Sequence, residues 1–428
     1  MSADLTGLIT KPAEPEPTGP FATMFTSRPW LRPVTIGCIL LALFSFVRIV
    51  TEQPKLTAGA TFITAVGLAS PILLAGLGGL YAERSGIVNI GLEGMMVMGT
   101  WFAGYAGWQF GPWYALAFGA FGGMLGGVVL GIATVTFGVD QIVAGIAINL
   151  IAPGVARFLS SEIFAGQGDG TITQSPSITS NIGRFSVPVL SPFFEWLNDR
   201  EWFFISDLAG LLVGFTTDMA WSTLIAWIMI PISAYVLWRT RFGLRLRSAG
   251  EKPSATDSLG VSVYRMRYLG VLISGALAGL GGAWLVLDIG AYNQGQTAGR
   301  GFQGLAALIF GNWMPAGVGA GAGLFSYSQA ISLNTSSNEL VLALFLFAAL
   351  ALTGVAIVLT VQRKIPQAVG LFIIAVITFL FYRSTDEVIN QMVFVTPYVV
   401  TLLVLAIASQ RLRPPAAEGR PWFKGQSE

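Results

Sequence analysis

The chain has 428 residues, 54% hydrophobic and 11% charged, with 24 Lys and Arg against 22 Asp and Glu and a mean hydropathy of +0.68. With no histidine and a single cysteine, Cys38, it lacks the material for a disulfide framework, a His-based catalytic group or a His-ligated metal. A net charge of +2 gives no reason to expect a nucleic-acid partner, and repeated apolar runs of about 20 residues, the length that crosses a bilayer, mark a polytopic helical membrane protein.

Residues 1–32 are rich in Pro, Thr and Glu with little to bury, which predicts a disordered cytoplasmic tail, closed by Arg28 and Arg32. No small-residue cleavage site follows the first apolar run, so an uncleaved first span is expected rather than a signal peptide. The transmembrane body is expected over 33–410, with spans at 34–50, 57–80, 87–108, 115–137, 142–159, 221–238, 266–287, 339–361, 366–382 and 389–409. One further apolar segment, 303–331, is interrupted at its middle by GNWMPAG, and 411–428 form a C-terminal cytoplasmic tail. The expected fold is all-α and polytopic, with about ten transmembrane helices plus a re-entrant hairpin of half-helices.

Loop charge orients these spans. The 240–265 loop and its borders hold Arg239, Arg241, Arg245, Arg247, Lys252, Arg265 and Arg267 against only Glu251 and Asp257, which predicts a cytoplasmic loop. The 160–219 segment is its opposite, with Glu162, Asp169, Glu195, Asp199, Glu201, Asp207 and Asp218 against Arg184 and Arg200, and is expected outside. A single crossing at 303–331 would put Arg363, Lys364 and the tail residues Arg411, Arg413, Arg420 and Lys424 on the wrong side. A hairpin turning at Asn312–Pro315 enters and leaves externally and returns both clusters to the cytoplasm. Its broken backbone is tolerated at membrane depth where protein or water shields it.

The stretch ERSGIVNIGLEGMMVMG (83–99) places two glutamates, an arginine and an asparagine in apolar surroundings, with glycines at 86, 91, 94 and 99. Polar groups at that depth are kept where they line a water-accessible path or bond the freed backbone of a broken helix. On a helix Asn89 and Glu93, four apart, share a face, and so do Gln141 and Asn149, eight apart. These four are the expected substrate-pathway residues, with the structural role open for each and preferred for Glu93; Asp140 offers the same two options. Glu83 and Arg84 read as a surface ion pair. Trp101, Phe102 and Tyr105 read as packing or interface anchors rather than as a platform for a base.

FGAFGGMLGGVVLG (118–131) spaces glycines four apart at 122/126, 123/127 and 127/131, and SGALAGLGG does so at 275/279. That spacing lets helix backbones approach closely, and intrachain packing is the plainer reading than a dimer face. In GLRLRSAGEKPSATDSLGVSVYRMR (243–267), Pro253 can open a short helix and Gly260 can end it. Such a helix suits a soluble partner that pushes on the spans; a solvated basic loop is the alternative.

The 243–263 segment resembles the cytoplasmic coupling loop of ABC-importer permeases, in which an EAA-like stretch followed by Gly docks into the ATPase. Here the stretch reads Ser254-Ala255-Thr256, with Gly260 retained. ERSGIVNIGLEGMMVMG resembles the early signature of the branched-chain amino acid, ribose and nucleoside permease superfamily, and most resembles its nucleoside (simple sugar) branch. GVDQIVAGIAINLIA (138–152) and GRGFQGLAALIFGNWMPAG (299–317) resemble two further blocks in the family's order; the N-terminal tail, 160–219 and 366–382 match less well. The resemblance implies a permease subunit of an ATP-driven importer in the bacterial inner membrane, multi-pass with both termini cytoplasmic. It implies nucleosides as cargo, with a simple sugar or a branched-chain amino acid as the alternative. As partners it implies a cytoplasmic ABC ATPase, a second permease in a heterodimer, and an extracytoplasmic substrate-binding lipoprotein. Gly250, Glu251, Lys252, Pro253, Ala255, Asp257 and Gly260 are the ATPase-coupling residues it implies. No cofactor or metal is expected.

Two other classes stand beside this reading. An ion-coupled secondary transporter would use a mid-membrane acid such as Glu93 or Asp288. An integral-membrane transferase would need a nucleophile–base pair or metal cluster, and the sequence offers none. It also has no GxxxxGK[ST] phosphate loop, so ATP hydrolysis is expected on a separate subunit and not on this chain.

Overall fold

The structure, a computed structural model, describes residues 31–333, 337–385 and 412–424. Most of the expected N-terminal tail, the expected span at 389–409 and the last four residues lie outside them. The helices are α1 (Leu31–Thr51), α2 (Gly59–Arg84), α3 (Leu92–Phe110), α4 (Pro112–Gly131), α5 (Gln141–Ile163), α6 (Leu190–Asn198), α7 (Ile205–Thr216) and α8 (Trp221–Arg239). They continue as α9 (Arg241–Glu251), α10 (Pro253–Ser258), α11 (Val263–Ile289), α12 (Arg300–Phe310), α13 (Pro315–Ser332), α14 (Ser337–Val361) and α15 (Ile365–Ser384). Two short antiparallel strands, β1 (Arg184–Phe185) and β2 (Met219–Ala220), pair Arg184 with Ala220 and Phe185 with Met219. Among the described residues, 7 helices are long and apolar enough to cross a membrane.

The axis of the molecule is α2. It is apolar all round and buried along most of its length, as a helix enclosed by other helices must be. Ala69, Ile72, Leu73, Leu77 and Leu80 meet Leu308 of α12 and Val318 and Phe325 of α13. On its other side α11 lies against α4 with backbones nearly touching. A Cβ at Gly123 would run into the Gly275 carbonyl, and one at Gly279 into that of Gly119, so these glycines serve packing within the chain.

Two breaks interrupt the helical pattern. After α2 the chain turns at Gly86, whose φ of +96° suits glycine, and runs without helix to Leu92. The span expected at 87–108 therefore begins five residues later, and Asn89 and Glu93 do not share a helix face. The second break, Gly311–Met314, separates α12 from α13, with Asn312 and Trp313 at φ of 50° and 55° and Pro315 opening α13. The two arms are unequal: α12 has 11 residues and α13 has 18, about 16 and 27 Å at 1.5 Å per residue, so only α12 is a half-helix.

Two polar regions carry more structure than their charge suggests. Within 160–219, α7 packs on α2 and buries Asp207, at 0% exposure, against Arg48 of α1, whose Nε lies 3.0 Å from Asp207 Oδ1. In the basic loop, α9 precedes the short α10, and Gly260 follows it at φ +79°.

Candidate functional site

Three of the four polar residues singled out in the sequence converge on the first break. Gln141 opens α5, and its Oε1 accepts from the Val88 N–H at 2.6 Å. Two turns along the same face of α5, Asn149 accepts from the Gly94 N–H at 2.7 Å and donates to the Ile90 carbonyl at 2.9 Å. These bonds satisfy backbone groups that the missing helical turn leaves without partners. Asn89 is fully buried and donates to Ser274 Oγ of α11 at 2.8 Å; its Oδ1 has no partner among the described residues. Asp140 caps α5 by accepting from the Ile142 and Val143 N–H groups.

Glu93 turns elsewhere. From the first turn of α3 its carboxylate accepts from the Gly299 N–H at 2.9 Å and the Gly301 N–H at 2.7 Å, so it caps α12 from another helix. A negative group there meets free donors and the positive end of the helix dipole. Gly301 makes the approach possible, because a Cβ would stand 2.5 Å from the Glu93 backbone.

Glu83 and Arg84 are not a surface pair. Glu83 is 2% exposed and accepts from the Trp313 indole N–H, while Arg84 Nη2 donates to the Trp313 carbonyl at 2.7 Å and its Nη1 lies 3.7 Å from Glu251. Local spacing pointed to each other as partners; the second break brings a better one. The aromatics pack: Trp101 is 3% exposed, donates to Ser160 Oγ, and stacks on Tyr105 and Phe164.

The residues matched to a coupling loop sit at the same end of the molecule as Arg84. Gly250 lies against the Arg84 carbonyl, Pro253 is buried, and Lys252, Ala255 and Gly260 are exposed with Asp257 half-buried between them. Beside them Leu259 is 84% exposed. The C-terminal segment 412–424 straps this face. Ala417 N–H donates to the Gly250 carbonyl at 2.9 Å, Ala416 N–H to Glu251, and Arg413 N–H to Asn312 Oδ1, while Arg267 donates to the Arg420 carbonyl. Trp422 packs on Tyr264. Glu418 shares a hydrogen bond with Glu83, and burial pushes its carboxyl up to about 7, against the opposing pull of that bond and of Arg84.

Sequence reasoning passed over a cavity of about 570 Å³ at the opposite end of α2. Ile63, Thr64, Val66, Gly67 and Leu68 of α2 line it together with Trp284, Leu287 and Asp288 of α11, and the β1 and β2 strands close one side. Arg184, Asp218 and Asp288 meet there: Arg184 Nη1 donates to Asp218 at 2.6 Å, and its Nη2 lies 3.9 Å from Asp288. In the sequence these three registered only as loop charges and a possible coupling acid. Their separations, 34 and 104 residues, give no local signal.

Residues 61–361 match the family described as branched-chain amino acid transport system / permease component. The chain is 39% identical over 257 residues to the nucleoside ABC transporter permease protein NupC of Lactococcus lactis, covering 58% of this chain and 74% of that protein. It is 36% identical to the guanosine ABC transporter permease protein NupQ of Bacillus subtilis with the same coverage of 58% and 74%. To NupP, a second guanosine ABC transporter permease protein of B. subtilis, it is 30% identical over 58% of this chain and 67% of that one. No solved structure matches it significantly.

Proposed function

We infer that this chain, which belongs to the branched-chain amino acid transport system / permease component family, is the membrane permease subunit of an ABC importer for nucleosides. The observation that carries the reading is identity of 36–39% to permeases named for nucleosides and guanosine over more than half of the chain. In this role the protein forms the solute path and hydrolyses no ATP itself. A separate cytoplasmic ATPase supplies the energy, and an extracytoplasmic binding protein delivers the nucleoside.

The orientation follows from charge. Arg84, Arg247, Lys252, Arg267, Arg413 and Arg420 gather at the strapped end, which supports a cytoplasmic location for it in the bacterial inner membrane, and the cavity then opens on the external side. The α12–α13 hairpin enters and leaves externally, with its turn near the cytoplasmic end of α2. The ATPase docks on α10 and the exposed Leu259, so that Gly250 to Gly260 carry its motion. Asn89, Gln141 and Asn149 hold the 86–91 connection between α2 and α3, and Glu93 holds the start of α12, around the path. A second, non-identical permease completes the pair, a reading supported by two distinct relatives, NupQ and NupP, in one B. subtilis strain.

The test is guanosine uptake into proteoliposomes holding the permease pair, with and without the ATPase and ATP. Uptake should require both and survive an ionophore. Uptake that persists without them and collapses with the ion gradient would replace this reading with an ion-coupled transporter.

A further inference from the structure

The cavity has an apolar floor and a charged mouth. Its floor is Val66, Leu68 and Leu287 with the edge of Trp284, and Gly67 faces that edge, where a Cβ would touch the ring at an ordinary contact distance of 3.6 Å. Trp284 is held in place because its indole N–H donates to Thr223 Oγ1 at 2.9 Å. At the mouth the Arg184 guanidinium serves two carboxylates. The side chains of Arg184, Asp218 and Asp288 are 54%, 54% and 41% exposed, so the acids are reachable by a solute; Arg300 also acts on Asp288, so two guanidiniums balance the two acids.

A carboxylate has about four acceptor positions. Arg184 occupies a single oxygen of Asp218 and lies only within 3.9 Å of one oxygen of Asp288, which leaves Asp288 the freer acceptor. Such an acid suits a donor with two adjacent hydroxyls, and the floor beneath suits a flat heterocycle. The volume of about 570 Å³ lies within the ordinary range for small-molecule sites.

Resting on the nucleoside reading above, we propose that this cavity is the permease's own nucleoside subsite. Asp288 receives the ribose 2′- and 3′-hydroxyls, and the base lies over Gly67 and Trp284. The permease thus selects its solute a second time after the binding protein.

The experiment is initial-rate uptake of guanosine and 2′,3′-dideoxyguanosine by the reconstituted transporter, using wild type, Asp288→Ala and Gly67→Leu. The same binding protein serves every assay, so a change in the guanosine-to-dideoxyguanosine ratio between variants arises in the permease. Two hydroxyl-to-carboxylate bonds at an exposed site correspond to a preference of about tenfold or more, which Asp288→Ala should abolish. Gly67→Leu fills the floor and should lower uptake of both nucleosides alike. If Asp288→Ala does not assemble, the isosteric Asp288→Asn should still reduce the ratio. Wild-type guanosine uptake with an unchanged ratio in the Asp288 variants would overturn the subsite while leaving the nucleoside reading intact. Sugar or amino-acid uptake with no guanosine uptake would overturn both.

Discussion

Replacing Glu93 by Ala distinguishes a group that holds the fold from one that faces the solute. Its two oxygens accept from Gly299 and Gly301 at 2.9 and 2.7 Å, the free donors at the start of α12. Hydrogen bonds to a charged group contribute about 1.5–3 kcal/mol each where the partner stays buried; because the site is only half-buried, the lower end applies, about 3 kcal/mol for the pair. Glu93→Gln keeps one acceptor oxygen and loses the favourable charge at the helix end, so about half of that loss is expected. Thermal unfolding of the purified permease in detergent should rank wild type above Glu93→Gln above Glu93→Ala, with uptake falling only as the folded fraction falls. Wild-type thermal stability of Glu93→Ala combined with a raised KM for nucleoside would refute the capping argument and return Glu93 to the solute path.

Gly260 sits at φ +79° with open space around it, so Gly260→Val strains the backbone by about 1–2 kcal/mol without any internal clash. Nucleoside-stimulated ATP hydrolysis and uptake should fall together at normal membrane levels, and a fully coupled variant would remove Gly260 from the docking surface. Glu418 is raised from 4.5 to about 7 when its segment is docked, so docking binds an extra proton. The strap should therefore be held most tightly below pH 4.5 and loosen as pH rises through 7. Hydrogen exchange of 412–424 should be faster at high pH than the intrinsic rate explains, with the excess gone in Glu418→Gln; no excess in wild type would sink the idea. In a Cys38→Ala background, cysteines at Ala298 and Leu333, at either end of the hairpin, should both react with an impermeant external reagent, and labelling from opposite sides would end the hairpin orientation.

What the sequence made legible depends on how far apart the interacting residues lie. Apolar runs announce themselves locally, and the expected spans at 57–80, 115–137, 142–159, 221–238 and 266–287 coincide with α2, α4, α5, α8 and α11. The glycines of 118–131 and 275–279 were readable as close-packing surfaces for the same reason, though not as each other's partners. Asn89 and Glu93 share a face only on an unbroken helix, and the break at 86–91 sends one to Ser274 and the other to Gly299 and Gly301. Glu83 looked like half of a surface pair because its partner, Trp313, is 230 residues away.

That distance also hid how the polar exceptions and the residues matched to a coupling loop are arranged. They are two ends of one run of contacts. Gly250 lies against the Arg84 carbonyl and Gly86, Arg84 and Glu83 hold Trp313 at the hairpin turn, and the 86–91 segment leads through Asn149 and Gln141 to Glu93 and the start of α12. Packed elements with no slack transmit a displacement rather than absorb it. A push on α9 and α10 is therefore delivered directly to the end of α2 and to α11, on which they pack, and through Arg84 and Trp313 to the hairpin turn.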